Sequence, residues 1–475
     1  MDRFRKVIGN GLRMWAVACM CMLRLPAMAL SGPDCPVGSL TETRESVAGT
    51  ARQYVSGQSN ARPAGAGPQD GTTQTDAARG GGLKVKPAYD VSFEMDFDNR
   101  ENVSSLSPSM TIFGARLTPA VGIAVEHGNG IRHRVMAGID VMKDFGRGAD
   151  VSPENAGQSG QRSVNSGLFR ELTFYYRLDM RLGKTDFGLI AGIFPKRFSM
   201  SYEYPPAFIS DSLKFYDNNY EGLLLTFSRP KSYYEAGCDW MGMFGTYERE
   251  RFMIFSHGRS QLMPWLSVGY SAYMYHYACS ATVDGVVDNL LANPWICFDA
   301  APVTPFQRLS ITLGWLQSAQ QDRLNVGKYV FPCGGEMTFD IRKWNVGIRN
   351  RLFVGSDMMP YYDSRDAGGY KYGNSLYWGD PFYRLFAGDD PRFNGGVWHP
   401  TENGSGGMFI SKRSSTVGIY DRLEAYYEPK IADFLHLRIS LTAHFLESGY
   451  AGFQQQVGLV FSLQELMSGK PGHSR

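Results

Sequence analysis

The segment Leu435 to Phe445 alternates strictly. Leu435, Leu437, Ile439, Leu441, Ala443 and Phe445 fall on one face, and His436, Arg438, Ser440, Thr442 and His444 on the other. A period of two is that of a β-strand with one apolar and one polar face. The pattern recurs along the chain. Val91, Phe93, Met95 and Phe97 alternate with Ser92, Glu94 and Asp96. Leu172, Phe174, Tyr176 and Leu178 oppose Glu171, Thr173, Tyr175 and Arg177, and Leu266, Val268, Tyr270, Ala272 and Met274 oppose Ser267, Gly269, Ser271 and Tyr273. Leu309, Ile311, Leu313 and Trp315 form another apolar face, as do Val346, Ile348, Leu352 and Val354 opposite Arg349 and Arg351. The last such strand sets Val457, Leu459, Phe461 and Leu463 against Gln454, Gln456, Gly458 and Ser462. Arg170 and Asn350 fall on apolar sides, where a membrane interface would tolerate them.

The connections carry a second pattern. Turns fall near Ser448, Pro429, Lys343, Pro305, Pro264, Gly245, Pro230, Leu182 and Asn129, and long loops at 144–166, 196–217, 276–287, 318–333 and 356–413. Every second connection is short, and the long loops all belong to the other set. Bacterial outer-membrane barrels sort their connections this way. The expected fold is therefore all-β: a single closed antiparallel transmembrane β-barrel over residues 87–463, with lipid outside and water inside. The count is 16 strands, within bounds of 14–18, if 109–127 is one strand with a bulge at Thr118-Pro119.

The two ends of the chain place this barrel. Arg3, Arg5, Lys6 and Arg13 precede an apolar run, Met14 to Leu23, and an A-x-A site, Ala27-Met28-Ala29, so residues 1–29 read as an export signal. Ten apolar residues are too few to cross a bilayer as a helix. Residues 30–86 hold few large apolar side chains and read as a disordered periplasmic leader. Residues 464–475 form a polar tail. Composition agrees. The mean hydropathy of −0.26 is too low for a bundle of membrane helices. The 26 Tyr and 29 Phe are enough to supply two aromatic girdles. The net charge of +2 favours no nucleic-acid partner.

Several segments resemble uncharacterised, porin-like outer-membrane β-barrels of Bacteroidota-type bacteria. They are Thr111-Ile112-Phe113-Gly114-Ala115-Arg116-Leu117-Thr118-Pro119, the run Asp211 to Asp217, Cys238-Asp239-Trp240-Met241-Gly242, and Leu376 to Tyr383. The resemblance covers about 87–463. It implies a barrel in the outer membrane of a Gram-negative bacterium and brings no activity with it.

Candidate chemistry follows from the strand faces. Glu94, Asp96, Glu171, Arg177, Arg349, Arg351, Arg422, Glu424 and Arg438 would project into the lumen. Facing charges across water set ion preference, which points to a porin-like passive channel for small hydrophilic solutes. The alternative is a plugged barrel whose outer loops bind glycan or a protein partner. Its candidates lie in loop 356–413: Tyr372, Tyr377, Trp378, Tyr383 and Trp398. A loop of that length usually has a role. The expected partners are outer-membrane lipid, the barrel-assembly machinery and small solutes or glycan. No enzyme, cofactor or metal is expected, because no G-x-S-x-G, H-E-x-x-H, phosphate-loop or dinucleotide fingerprint occurs. The five cysteines beyond residue 29 lack zinc spacing. An outer-membrane hydrolase is the weakest of the readings.

Overall fold

The computed structural model describes residues 83–145, 169–323, 328–364, 372–385 and 417–463, apart from a few positions within them, and the backbone alone of 396–400 and 407–411. The expected signal, most of the leader and the polar tail lie outside the described residues.

Sixteen antiparallel strands form one sheet. They are β1 (Lys84–Asn102), β2 (Met110–Glu126), β3 (Arg132–Asp144), β4 (Phe169–Leu182), β5 (Thr185–Pro195), β6 (Asn219–Arg229), β7 (Ser232–Gly242) and β8 (Arg251–Met263). The second half is β9 (Leu266–Tyr277), β10 (Val287–Asp299), β11 (Arg308–Asp322), β12 (Cys333–Lys343), β13 (Val346–Gly355), β14 (Gly418–Tyr427), β15 (Leu435–Leu446) and β16 (Gly449–Ser462). Each strand pairs with its sequence neighbours, and β1 also pairs with β16 from Ser92↔Ser462 to Asn102↔Gly452. That last pairing closes the sheet, so no backbone edge faces lipid. A three-residue ladder, Lys430–Ala432, extends the β14–β15 turn, and Gly396–Pro400 pairs with Gly407–Ser411 as a separate hairpin.

The expected bulge at Thr118-Pro119 is absent. β2 runs unbroken, and its pairing with β3 resumes at Ala120↔Gly138 in the register left at Leu117↔Val141. Pro119 has no N–H to give, so the ladder skips a step without adding a residue.

Connections at one end are short: 183–184, 230–231, 264–265 and 344–345 join strands directly. Trp344 and Asn345 both hold positive φ, 52° and 66°. Two left-handed central residues make the hairpin turn whose twist matches its strands. The opposite end carries 145–168, 196–218 and 356–417, with shorter connections at 103–109 and 243–250 and a two-residue turn at 447–448. Aromatic pairs ring both ends on the outer surface. Trp265 stacks on Phe298, and Phe187 meets Phe227, near the short turns. Trp240 stacks on Phe252, and Phe113 meets Phe97 and Phe145, near the long loops. Between them the wall is apolar, with Leu172, Val121, Leu441 and Ile348 exposed as lipid-facing residues must be.

The two polar residues on apolar sides have partners. Arg170 lies 3.4 Å from Asp144, and the Asn350 amide donates to Asp421 at 2.7 Å. The buried core sits inside the ring rather than between layers. Phe194, Phe208, Phe353, Tyr361, Leu376 and Tyr383 are all fully buried there.

Candidate functional site

Two loops from the long-loop end fold into the lumen. The first, 196–218, leaves β5 and returns through a short helix, α1 (Asp211–Tyr216). Its hydrogen bonds reach strands nearly half the ring apart. Arg197 pairs with Asp90 on β1 at 2.7 Å and donates to Thr118 on β2 at 2.9 Å. Arg100 of β1 donates to Ser212. On the other side, the Glu235 carboxylate of β7 accepts the Met200 N–H at 2.8 Å and the hydroxyls of Tyr204 and Tyr233. Glu203 binds His257 Nε2 at 3.1 Å and Arg259 at 2.8 Å on β8. A loop so anchored spans the opening.

The second loop begins at 356. Tyr372 donates to Asp322 at 2.6 Å, Tyr377 to Gln320 at 2.7 Å and Tyr383 to Glu336 at 2.5 Å. Asn289 of β10 donates to the Leu376 carbonyl, and Tyr275 of β9 to that of Ser375. Burial raises the phenol pKa of Tyr372, Tyr377 and Tyr383, which keeps the three hydroxyls protonated as donors.

The loops meet. The Ser210 N–H donates to the Trp378 carbonyl at 2.7 Å, and the Asp380 N–H to that of Pro206 at 2.8 Å. Lys196 lies over the Trp378 ring, 5.2 Å from its centre. Beside this contact a cavity opens between the first loop and the wall of β13 and β14. Tyr202, Glu203, Tyr204, Pro206, Asp211 and Lys214 line it from the loop, and Arg349, Arg351, Arg422 and Glu424 from the wall. Its free space is about 60 Å³, room for a few waters at roughly 10–15 Å³ each. The space left between this loop and the wall is lined mostly by charged and hydroxyl groups.

The wall charges are held in a network. Arg349 binds Asp340 at 2.8 Å and approaches Glu424 at 3.6 Å. Arg438 binds Glu424 at 2.6 Å and also Glu428. Arg351 lies 3.6 Å from Glu336, and Arg308 also binds Asp340. On the loop, burial pushes the Asp211 carboxyl up and the Lys214 ammonium down, each opposed by the other's charge at 3.2 Å.

The residues singled out from sequence divide accordingly. Arg349, Arg351, Arg422 and Glu424 come together at the cavity, with Arg438 behind Glu424. Asp96 is buried on the lumen side of β1 and Glu94 half-buried beside it. Glu171 accepts from Asn219 at 2.7 Å, and Arg177 pairs with Asp179 at 2.9 Å, both on the β4 wall. Tyr372, Trp378 and Tyr383 are buried inside the barrel, and the Tyr377 hydroxyl is spent on Gln320, so their ring faces are not presented outside. The Trp398 side chain lies outside the described residues. Sequence reading passed over Asp211, Lys214 and Glu203. The only signal there was the run 211–217, which an alternation test does not weigh.

One cluster has the atoms of a hydrolytic relay. Ser271 Oγ lies 3.0 Å from His257 Nδ1, whose Nε2 meets Glu203. Ser271 is 0% exposed, so no substrate carbon can approach it, and Arg259 already engages the carboxylate. The arrangement clasps the loop. Among the described residues, no group of three His, Cys, Asp or Glu is placed to hold a metal.

No family profile and no curated protein matches the chain. Solved structures similar to it include OccAB3 of Acinetobacter baumannii, at 8% identity and TM-score 0.36, covering 79% of this chain and 99% of that one. A loop-deletion mutant of the Vibrio cholerae outer membrane protein OmpT is 7% identical, TM-score 0.43, with 80% and 99% covered. OccK2 of Pseudomonas aeruginosa, solved with glucuronate, is 10% identical, TM-score 0.40, with 79% and 96% covered.

Proposed function

We infer that this chain is a porin-like outer-membrane channel through which small hydrophilic solutes pass passively. The observation that carries the reading is the constriction. A closed barrel with a lipid-facing apolar belt holds two inward loops, and they leave a charged, hydroxyl-lined cavity rather than a dry plug. The excess of guanidinium groups on the β13–β14 side of that cavity favours anions over cations. Outer-membrane lipid surrounds the wall, and the barrel-assembly machinery inserts it. The plugged alternative, with aromatic outer loops binding glycan, loses its contact surface, because the described rings of the second loop pack inward.

Swelling of proteoliposomes tests the reading. Refolded protein in liposomes placed in isosmotic glycine should swell, and more slowly in arabinose. No swelling from a barrel shown to be folded would overturn passive passage.

A further inference from the structure

The outer face of β13 and β14 breaks the rule that the rest of the wall obeys. Hydrocarbon solvates neither a charge nor an amide, so lipid-facing positions are apolar. Asn350 is nonetheless the middle one of the outward positions Val346, Ile348, Asn350, Leu352 and Val354 on β13. Asp421 stands among Ile419, Leu423, Ala425 and Tyr427, the outward positions of β14. Their cross-strand neighbours Phe339, Leu352, Leu423 and Phe445 are apolar as well. Ile348, Ile419 and Leu423 are exposed around the pair, at 48%, 44% and 42%. The apolar surface therefore continues on both sides of the two residues along each strand. An ionisable side chain in such a place is costly and rare, and it marks a functional contact.

The pair is half satisfied. Asn350 Nδ2 donates to Asp421 Oδ1 at 2.7 Å. That bond uses one of the two amide hydrogens and one of the two carboxylate oxygens. Arg349, Arg351 and Arg422 of the same strands line the cavity on the opposite side of the wall, so they do not meet Asp421. Among the described residues, the second N–H of Asn350 and Oδ2 of Asp421 have no further partner. A donor and an acceptor thus lie side by side on the outer surface. Lipid tails offer a partner to neither. A lysine or arginine of another protein would meet the carboxylate and leave the amide N–H unmet. The same pair on a second copy, brought alongside by a two-fold axis, meets both, donor to acceptor and acceptor to donor. Ala425 on β14 and Ala443, paired with Leu423 from β15, are small side chains beside the pair, and small residues let two membrane walls approach.

We propose that the β13–β14 face is an interface between two copies of this chain in the membrane, with the Asn350–Asp421 pairs of the two copies hydrogen-bonded to each other. The contact lies outside the barrel and holds whether or not the lumen conducts.

Two measurements on the full-length protein test it. The first is cross-linking in outer membranes of cells that produce the chain. Cys238→Ala, Cys297→Ala and Cys333→Ala remove the free thiols found in the barrel. In that background Leu423→Cys with a short bismaleimide should give a product of twice the chain mass. Leu172→Cys, 62% exposed on the far wall in β4, should give none. The second is subunit counting by photobleaching of labelled, refolded protein in bilayers. Wild type should bleach in two steps. Asn350→Leu with Asp421→Leu makes the wall more apolar, so the barrel should still fold, and dimer dissociation should rise about tenfold or more. Ala425→Trp adds bulk to the same face without touching the pair, and it should give single steps too. Single-step bleaching of wild type would overturn the proposal. So would undiminished dimers in both the leucine pair and Ala425→Trp. A Leu423→Cys product of any other mass would assign the face to a different protein, and no product would assign it to lipid; either outcome overturns the second copy.

Discussion

Gly379 is where the two inward loops come closest. A methyl group there would lie 2.2 Å from the Ala207 carbonyl oxygen and 2.7 Å from its carbon. Both are backbone atoms, so no rotamer change can make room. Ordinary contact needs about 3.4 Å, so Gly379→Ala must part the loops by roughly 1.2 Å. The contact is flanked by the Ser210–Trp378 and Asp380–Pro206 hydrogen bonds. At about 0.5–1.5 kcal/mol net each, their loss weakens loop docking by about 1–3 kcal/mol. The barrel ladder is untouched. The variant should therefore conduct more than wild type, with longer and larger openings, while thermal unfolding of the barrel stays put. Gly335 is the control, because a methyl group there meets nothing within 4 Å. Single-channel recording with circular dichroism melts checks both halves. Unchanged conductance from a folded Gly379→Ala barrel would refute the claim that these loops set the constriction, and a fall in barrel melting temperature would refute the claim that their docking is independent of the wall.

Other consequences can be measured as readily. Leu441 is 52% exposed on the lipid face of β15, so Leu441→Arg should cost about 2–4 kcal/mol and cut assembly yield, whereas Leu441→Ala should assemble. Glu235→Gln replaces a carboxylate that accepts three hydrogen bonds from the first loop and its own strand, so cleavage within 196–218 by limited proteolysis should quicken, by about 1–3 kcal/mol of lost local protection. Burial raises the carboxyl pKa of Asp211 and of Asp380, so both take up protons at a higher pH than an ordinary aspartate. Acidification thus removes negative charge from the loops. Anion preference, read as reversal potential, should rise as pH falls, and Asp211→Asn with Asp380→Asn should flatten that rise.

The wall was legible because lipid on one side and water on the other impose a period of two. Leu441 and Ser440 could not exchange faces without putting a hydroxyl in lipid, so the strands that alternate strictly announced their register. Loop length separated the two ends for the same reason: the short connections, such as Trp344-Asn345, are dictated by hairpin geometry. Alternation says nothing about what fills the ring. The descent of 196–218 depends on contacts with residues distant in sequence, such as Arg197 with Asp90 and Glu203 with His257. The aromatic side chains of Tyr372 and Tyr383 looked like contact residues in a long loop, yet they are the anchors that hold it to Asp322 and Glu336. Arg422 could be placed in the lumen from sequence, but that it shares a cavity with Asp211 and Lys214 of the first loop emerges only from the structure.

On the proposed function, a folded barrel of this chain passes ions past the basic wall of β13 and β14. Single-channel recording of the refolded wild-type protein across a salt gradient tests it directly. Stable unitary steps of small conductance and a reversal potential displaced toward that of the anion are expected. Silence from a barrel of demonstrated fold, or a reversal potential displaced toward the cation, would contradict it.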